Sequence, residues 1–382
     1  MRKDKGEIQA MKKEKKESRI KVETIKRKIE EKVRDPRRTS HGNIRHKLWE
    51  MLVIALLCVI CRGDDYDDME IFGKEREKWL KEELGFELEY GIPDSDTFRR
   101  LFERMNPKGF RTCLDECIGY TRSAREIINI DGKAKRGSGV HIISAFVGEN
   151  QITLGEIKSE TKRGEIKEIP KLLDTIEVAG HIVTIDSIGC QLDIVKKISE
   201  KKADYVIGLK KNQPNLYKAV EEYFLYNPKS ANSAIKNVYE AGHGRVEQRE
   251  YWLETDISWL NQRKDWAGLK SVGMAKSIVT RGKKTTFEIR FFISALTDIE
   301  EFAHSVREHW AIENKLHWSL DVIFREDNDL AKKDNAPLNL NILDKTALYL
   351  VSQVDLGKIT RKHKRYLAAL NPDVLLSMIF CR

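Results

Sequence analysis

Proline and cysteine are scarce in this chain, at 8 and 6 of 382 residues. The six cysteines are Cys58, Cys61, Cys113, Cys117, Cys190 and Cys381, and they lack the paired spacing of a zinc site. Cys58 and Cys61 form a CxxC inside an apolar run, with no second CxxC and no His pair nearby, so they read as buried thiols. Long hydrophobic runs are also missing. Leu48 to Ile60 is apolar apart from Glu50, but this run is shorter than the roughly 20 residues a bilayer span needs. The N-terminus is charged throughout and carries no secretory signal. These absences predict a reduced, cytoplasmic setting and no membrane association.

Net charge is +9 with a pI near 9.0, which suits a polyanionic partner. Its distribution changes that reading. Residues 1–38 hold 16 Lys+Arg against 8 Asp+Glu, which leaves 53 basic and 52 acidic residues for the rest. DNA binding in the body must therefore come from local basic clusters around a site that is itself acidic. Hydrophobic residues make up 41% of the chain, enough for a sizeable core at this length.

Three regions follow from periodicity. In residues 1–34, Val22, Ile25, Ile29 and Val33 recur at helical spacing, and Asp35-Pro36 ends the pattern. This is a basic helical arm, either solvated or lying on DNA phosphates. Residues 35–122 read as a small helical domain: Ile44–Cys61, Asp68–Leu84, Ser95–Met105 and Pro107–Tyr120. No strong helix-turn-helix pattern stands out in it. From residue 123 the pattern changes to strands. Glu126–Asp131, Val140–Val147 and Gln151–Lys158 are strands, the last two joined by a hairpin at Gly148-Glu149-Asn150. A helix at Glu165–Asp174, a strand at His181–Ile185, a helix at Cys190–Lys201, a strand at Tyr205–Leu209 and a helix at Pro214–Tyr226 follow. That order is the RNase H-like arrangement: an α/β fold with a mixed sheet and flanking helices. A β-rich subdomain at about 230–297 reads as an insertion. A long helix from Thr297-Asp298 to about Phe324 and a helical tail, Leu338 to Arg382, complete a catalytic domain spanning 123–382, with the tail packed on its core.

Two aspartates each follow an apolar strand: Asp131 after Ile127-Ile128-Asn129-Ile130, and Asp186 after Ile182-Val183-Thr184-Ile185. Carboxylates at strand ends lie on the rim where open α/β sheets hold their sites. Two such groups side by side repel unless a divalent cation lies between them, and Mg²⁺ prefers hard oxygen ligands. Glu313 lies in the long helix, on a face with Trp310, His317 and Leu320. A glutamate there is expensive to bury unless paired or bound to metal. Lys133, Lys135 and Arg136 follow Asp131, and Lys210, Lys211, Asn212 and Gln213 follow another strand end. These, with His243 and Arg245 at the start of the β-rich segment, are the candidate DNA contacts. Tyr251 and Trp252 read as core, with base stacking as the alternative.

Taken together, the chain resembles the ISAs1 group of DDE (RNase H-like) insertion-sequence transposases, related to H-repeat-associated proteins. The matching stretches are Ile130-Asp131-Gly132-Lys133, Thr184-Ile185-Asp186-Ser187-Ile188-Gly189-Cys190-Gln191, Leu209-Lys210-Lys211-Asn212-Gln213, His243-Gly244-Arg245-Val246-Glu247, and His309-Trp310 to Glu313-Asn314 with Leu316-His317-Trp318 and Leu320-Asp321-Val322. Asp35-Pro36-Arg37, Ile92-Pro93 and Asp96-Thr97-Phe98 resemble the associated helical domain. The resemblance implies a transposase that cleaves double-stranded DNA at terminal inverted repeats and joins the ends to a target DNA. Asp131, Asp186 and Glu313 would be its catalytic metal ligands, holding two Mg²⁺ ions for which Mn²⁺ substitutes. It also implies a homo-oligomer in a synaptic complex. Some related transposases carry Arg four residues before the glutamate and Lys seven after it; here those positions are His309 and Leu320. His309, Asn314 and His317 are the candidate replacements for those accessory roles. The competing readings are a catalytically silent DNA-binding derivative of a transposase, and a nuclease of the same fold.

Overall fold

The computed structural model describes residues 21–37, 44–227, 233–242 and 245–380. They divide into two compact units: a sheet unit of 122–134 and 141–317, and a helical unit of the described parts of 1–121, 135–140 and 318–382.

The helical unit contains α1 (21–32), α2 (Leu48–Ile60), α3 (Tyr66–Leu84), α4 (Ser95–Arg104) and α5 (Pro107–Ile118). Val22 and Ile29 in α1 and Val33 just after it are buried, so this stretch is packed and not a free arm. Residues 1–20, the rest of the predicted arm, lie outside the described residues. α2 is apolar nearly all round and buried nearly all round. Its one charge, Glu50, is stabilised by accepting from the Glu87 and Leu88 backbone N–H groups at 2.8 and 3.1 Å.

The C-terminal helices α11 (Ala336–Gln353), α12 (Arg361–Leu370) and α13 (Pro372–Ile379) belong to this unit, not to the sheet as expected. α11 packs on α2, α4 and α5. Asn339 ties it to α4 by donating to the Phe102 and Met105 carbonyls at 2.8 and 2.9 Å. Among the described residues, no helix is long and apolar enough to cross a membrane.

The sheet unit holds one nine-stranded sheet in the order β3-β2-β1-β4-β5-β9-β8-β7-β6. The strands are β1 (Ile127–Ala134), β2 (His141–Val147), β3 (Ile152–Ser159), β4 (Ile182–Ile185), β5 (Asp204–Leu209), β6 (Ser233–Gly242), β7 (Arg245–Glu254), β8 (Ser271–Arg281) and β9 (Lys284–Ser294). β1, β4 and β5 pair in parallel at the centre, and the other neighbours are antiparallel. β4 is buried throughout, as a β-branched run covered on both faces should be. The β-rich segment expected as an inserted subdomain is a continuation of this sheet. Its last strand, β9, turns apolar and buried from Phe291 onward, and there it pairs with β5 from Leu209↔Phe291 to Val206↔Ser294.

Helices cover both faces. α6 (Glu165–Thr175) packs on β2 and β3, where Gly155 lies against Leu172 and Ile176. α9 (Ile299–Ala311) crosses the other face, with Phe302, Ala303 and Val306 on Ile127, Ile182, Val206 and Phe292. Gly273 is required there, because a Cβ would collide with the Phe302 ring. Asp298 starts α9 by accepting from the Glu301 N–H at 2.9 Å. The strand period of two then places Ile127, Asn129 and Asp131 on the α9 face of β1, and Ile182, Thr184 and the position of Asp186 on the same face of β4.

Candidate active site

Asp131 lies inside β1 rather than past its end. The parallel pairing to β4 stops at Ile130↔Ile185, while the antiparallel pairing to β2 runs on to Ala134↔His141. Asp131 therefore stands at the notch where one neighbour leaves and the other continues. Asp186 is the next residue beyond the same parallel pair, on a strand about 4.8 Å away by ordinary sheet spacing. Its Oδ1 accepts from the Ile188 N–H at 2.9 Å and caps the short turn Ser187–Gly189. Beside Asp131, Gly132 leaves room for a buried pair, His141 Nε2 and Glu165 Oε1, with which any Cβ would collide.

Glu313 reaches the site by a change of helix type. After α9 the chain makes a π-helical turn, Ile312–His317, before α10 (Trp318–Val322). The wider turn alters the predicted face: Ile312, Leu316 and Leu320 are buried, while Glu313 is exposed. It also carries His317 over the strand, with Nδ1 3.7 Å from Asp131 Oδ2.

Burial pushes the Asp131 carboxyl up to about 7, and the negative charges of Asp186 and then Glu313 push the same way, against the Gly132 N–H. The three acids thus share one electrostatic neighbourhood. They do not form a ready coordination shell: among the described residues, no three His, Cys, Asp or Glu side chains converge closely enough to hold a metal as they stand. Asp186 and Glu313 line a cavity of about 540 Å³ together with Lys210, Lys211, His309 and Trp310. Arg290 lies over the Trp310 ring, 4.3 Å from its centroid.

Residues 108–350 match the family described as Transposase DDE domain, and residues 30–117 match DDE_Tnp_1-associated. "Putative transposase YncI" of Escherichia coli O157:H7 is 36% identical over 86% of this chain and 88% of its own length. The chain belongs to the transposase DDE-domain family. "H repeat-associated putative transposase YhhI" of Escherichia coli K12 is 32% identical over 88% of this DDE-family chain and 93% of its own. Among solved structures, a piggyBac transposase synaptic complex with hairpin DNA aligns over 94% of this chain and 78% of its own at 13% identity and a TM-score of 0.39.

The predicted DNA contacts divide in this DDE-family structure. Lys210 and Lys211 are exposed at the cavity. Asn212 and Gln213 turn their amides inward: Asn212 Nδ2 donates to the Ser187 carbonyl at 2.8 Å and Gln213 Nε2 to the Cys190 carbonyl at 3.0 Å. These bonds brace the loop that carries Asp186. Lys133 is half-buried on β1. Lys135 is a correction. It is 1% exposed in the helical unit, its Nζ 2.5 Å from Asp329 and 3.8 Å from Glu326, which removes it from any DNA surface. Arg136 is exposed and pairs with Asp327 at 3.3 Å. His243 lies outside the described residues, and Arg245 begins β7. Asn314 Nδ2 donates back to the Trp310 carbonyl at 3.0 Å. Tyr251 is core, packed with Leu253 and Phe292.

Sequence reasoning passed over Asn129 and Thr184. Each is a polar residue inside a buried apolar strand, two positions before a site aspartate, and that pattern was the available signal.

Proposed function

We propose that this chain is a DNA transposase that cleaves DNA at its element's ends and joins them to a target, using Asp131, Asp186 and Glu313. The observation that carries the reading is that the three acids feel one another: burial first, and then the charges of Asp186 and Glu313, raise Asp131 to about 7. Such a cluster fits a divalent ion, because a cation relieves the repulsion that the protein leaves in place. The three carboxylates are hard oxygen ligands and suit Mg²⁺, two ions in the expected arrangement, with Mn²⁺ as substitute. Bound there, the metal would supply Lewis-acid activation of the nucleophile and charge stabilisation of the leaving oxygen.

The chain's own residues do the rest. Lys210 and Lys211 put positive charge on the cavity rim, where a DNA phosphate would approach. Asn212 and Gln213 hold the Asp186 loop against the start of α8 (Pro214–Tyr226). The cavity beside Asp186 and Glu313 gives the scissile strand an apolar wall that limits water. Assignment to the ISAs1 group, double-stranded terminal repeats as substrate, a homo-oligomeric synaptic complex and a cytoplasmic location belong to the same proposal.

The test uses DNA carrying the repeats that flank the gene, with Mg²⁺, in single turnovers. Asp131→Ala, Asp186→Ala and Glu313→Ala should each lower cleavage by at least about 1,000-fold. Gel-shift affinity for the same DNA should persist. Normal cleavage by any one of them removes that residue from the mechanism.

A further inference from the structure

Behind the two aspartates a line of hydrogen bonds crosses the sheet to α9. Asn129 Nδ2 donates to the Phe146 carbonyl at 3.2 Å. That bond fixes the amide, because the flipped form would set two oxygens against each other. Asn129 Oδ1 is therefore the acceptor for the Thr184 hydroxyl, 2.7 Å away. Thr184 has one hydroxyl proton, and it is now used. The contact of 2.9 Å between Thr184 Oγ1 and His309 Nδ1 must then be donated by the histidine. The neutral His309 ring is accordingly the Nδ1–H tautomer, with a bare lone pair on Nε2.

The ring lines the cavity shared with Asp186 and Glu313. Nε2 has no hydrogen-bond partner among the described residues and is not among the atoms sealed from solvent. We infer that His309 Nε2 is a fixed hydrogen-bond acceptor for the hydroxyl nucleophile, a water in cleavage or a DNA 3′-hydroxyl in joining. The inference rests on the transposase reading and adds a named group to it. Burial and the Arg290 charge hold the ring pKa down to about 4, although Asp186 pulls upward, so the lone pair is present at neutral pH. So weak a base orients the hydroxyl by accepting its hydrogen bond and does not keep its proton, which passes to solvent as the new P–O bond forms and the old one breaks. The acids bind cations; this nitrogen supplies an uncharged acceptor that aligns the attacking oxygen.

Two measurements test it. The first reads the free protein. With ¹⁵N-histidine label at pH 7.5, the His309 signals, assigned by their loss in His309→Gln, should show a protonated Nδ1 and a bare Nε2. Thr184→Val removes the relay and should give a mixture of tautomers. A protonated Nε2 in the parent protein overturns the inference. The second reads cleavage in single turnovers. His309→Ala should lose about 30-fold or more in rate, with DNA affinity within about twofold. His309→Gln, whose side-chain oxygen lies near the place of Nε2, should recover to within about fivefold of the parent. A parental rate for His309→Ala, or a His309→Gln no better than His309→Ala, sinks the idea. Asp186→Ala serves as the reference: if it cleaves normally the active-site reading itself is wrong, and if it is dead while His309→Ala is normal, only the acceptor role is.

Discussion

Two acidic neighbourhoods, one in each unit, are built from similar side chains and solved in opposite ways. In the helical unit Asp344, on α11, is pushed up to about 8 by burial and by Glu326 and Asp329, while Lys135 opposes the shift. That lysine is enclosed with them, its Nζ 2.5 Å from Asp329. Burial lowers its pKa, but Glu326, Asp329 and Asp344 more than offset that and raise it. Arg365, also buried, lies 3.9 Å from the Phe324 ring centroid and donates to the Val59 carbonyl. This cluster carries its own cations. Asp131, Asp186 and Glu313 in the sheet unit have no lysine or arginine partner among the described residues; the basic group beside them is His317, its Nδ1 3.7 Å from Asp131 Oδ2. The first cluster is neutralised within the protein, whereas on the proposed reading the second takes a cation from solution.

The sharpest way to break this comparison is Lys135→Met. It would leave Asp329, Glu326 and Asp344 without their buried counter-charge, which should destabilise the protein by about 3–5 kcal/mol. The readout is the urea midpoint. The salt dependence of DNA binding should not change, since a buried ammonium releases no counterions from DNA. A Lys135→Met protein as stable as the parent but weaker on DNA would return Lys135 to the DNA surface and dissolve the contrast.

The second effect is in the sheet unit and depends on pH. A free Asp titrates at about 3.9, whereas Asp131 titrates at about 7 in the folded chain. Between these values the folded state holds the extra proton, so stability falls as pH rises through that window. In EDTA, the parent's melting temperature should drop from pH 5 to pH 8 by more than that of Asp131→Asn, which has no proton to lose. Mg²⁺ at pH 8 should raise the parent and leave Asp131→Asn nearly unmoved. Equal pH profiles in EDTA would mean that neither burial nor the neighbouring acids raise Asp131 in the folded chain.

How far these features could be read from sequence follows the range of the contacts. Asp131 and Asp186 were legible as candidates, because an apolar strand running into an acid is a local pattern, as was the mixed character of the sheet. The burial of Lys135 was not, since Asp329 lies 194 residues further on and the basic loop looks solvated by itself. The membership of β6–β9 in the main sheet rests on the β5–β9 pairing, which no alternation within the segment announces. The same holds for α11, whose apolar faces fit any core. The π-helical turn at Ile312–His317 has no Pro or Gly to mark it, so an α-helical face was drawn where the real one is wider.

The smallest effects separate two kinds of residue in one loop of the sheet unit. Lys210 and Lys211 are exposed at the cavity rim, whereas the Asn212 amide donates to the Ser187 carbonyl beside Asp186. Lys210→Ala and Lys211→Ala should each weaken DNA binding severalfold and reduce the slope of log affinity against log salt by about 1. Asn212→Ala should leave that slope alone and slow cleavage by about 10-fold, because the Asp186 loop loses its brace. Fluorescence anisotropy over a salt series, with single-turnover cleavage on the same DNA, distinguishes the two. If Asn212→Ala changed the slope and not the rate, its amide would be a phosphate contact after all, and the loop would be an electrostatic rim throughout instead of a rim with a positioning strut.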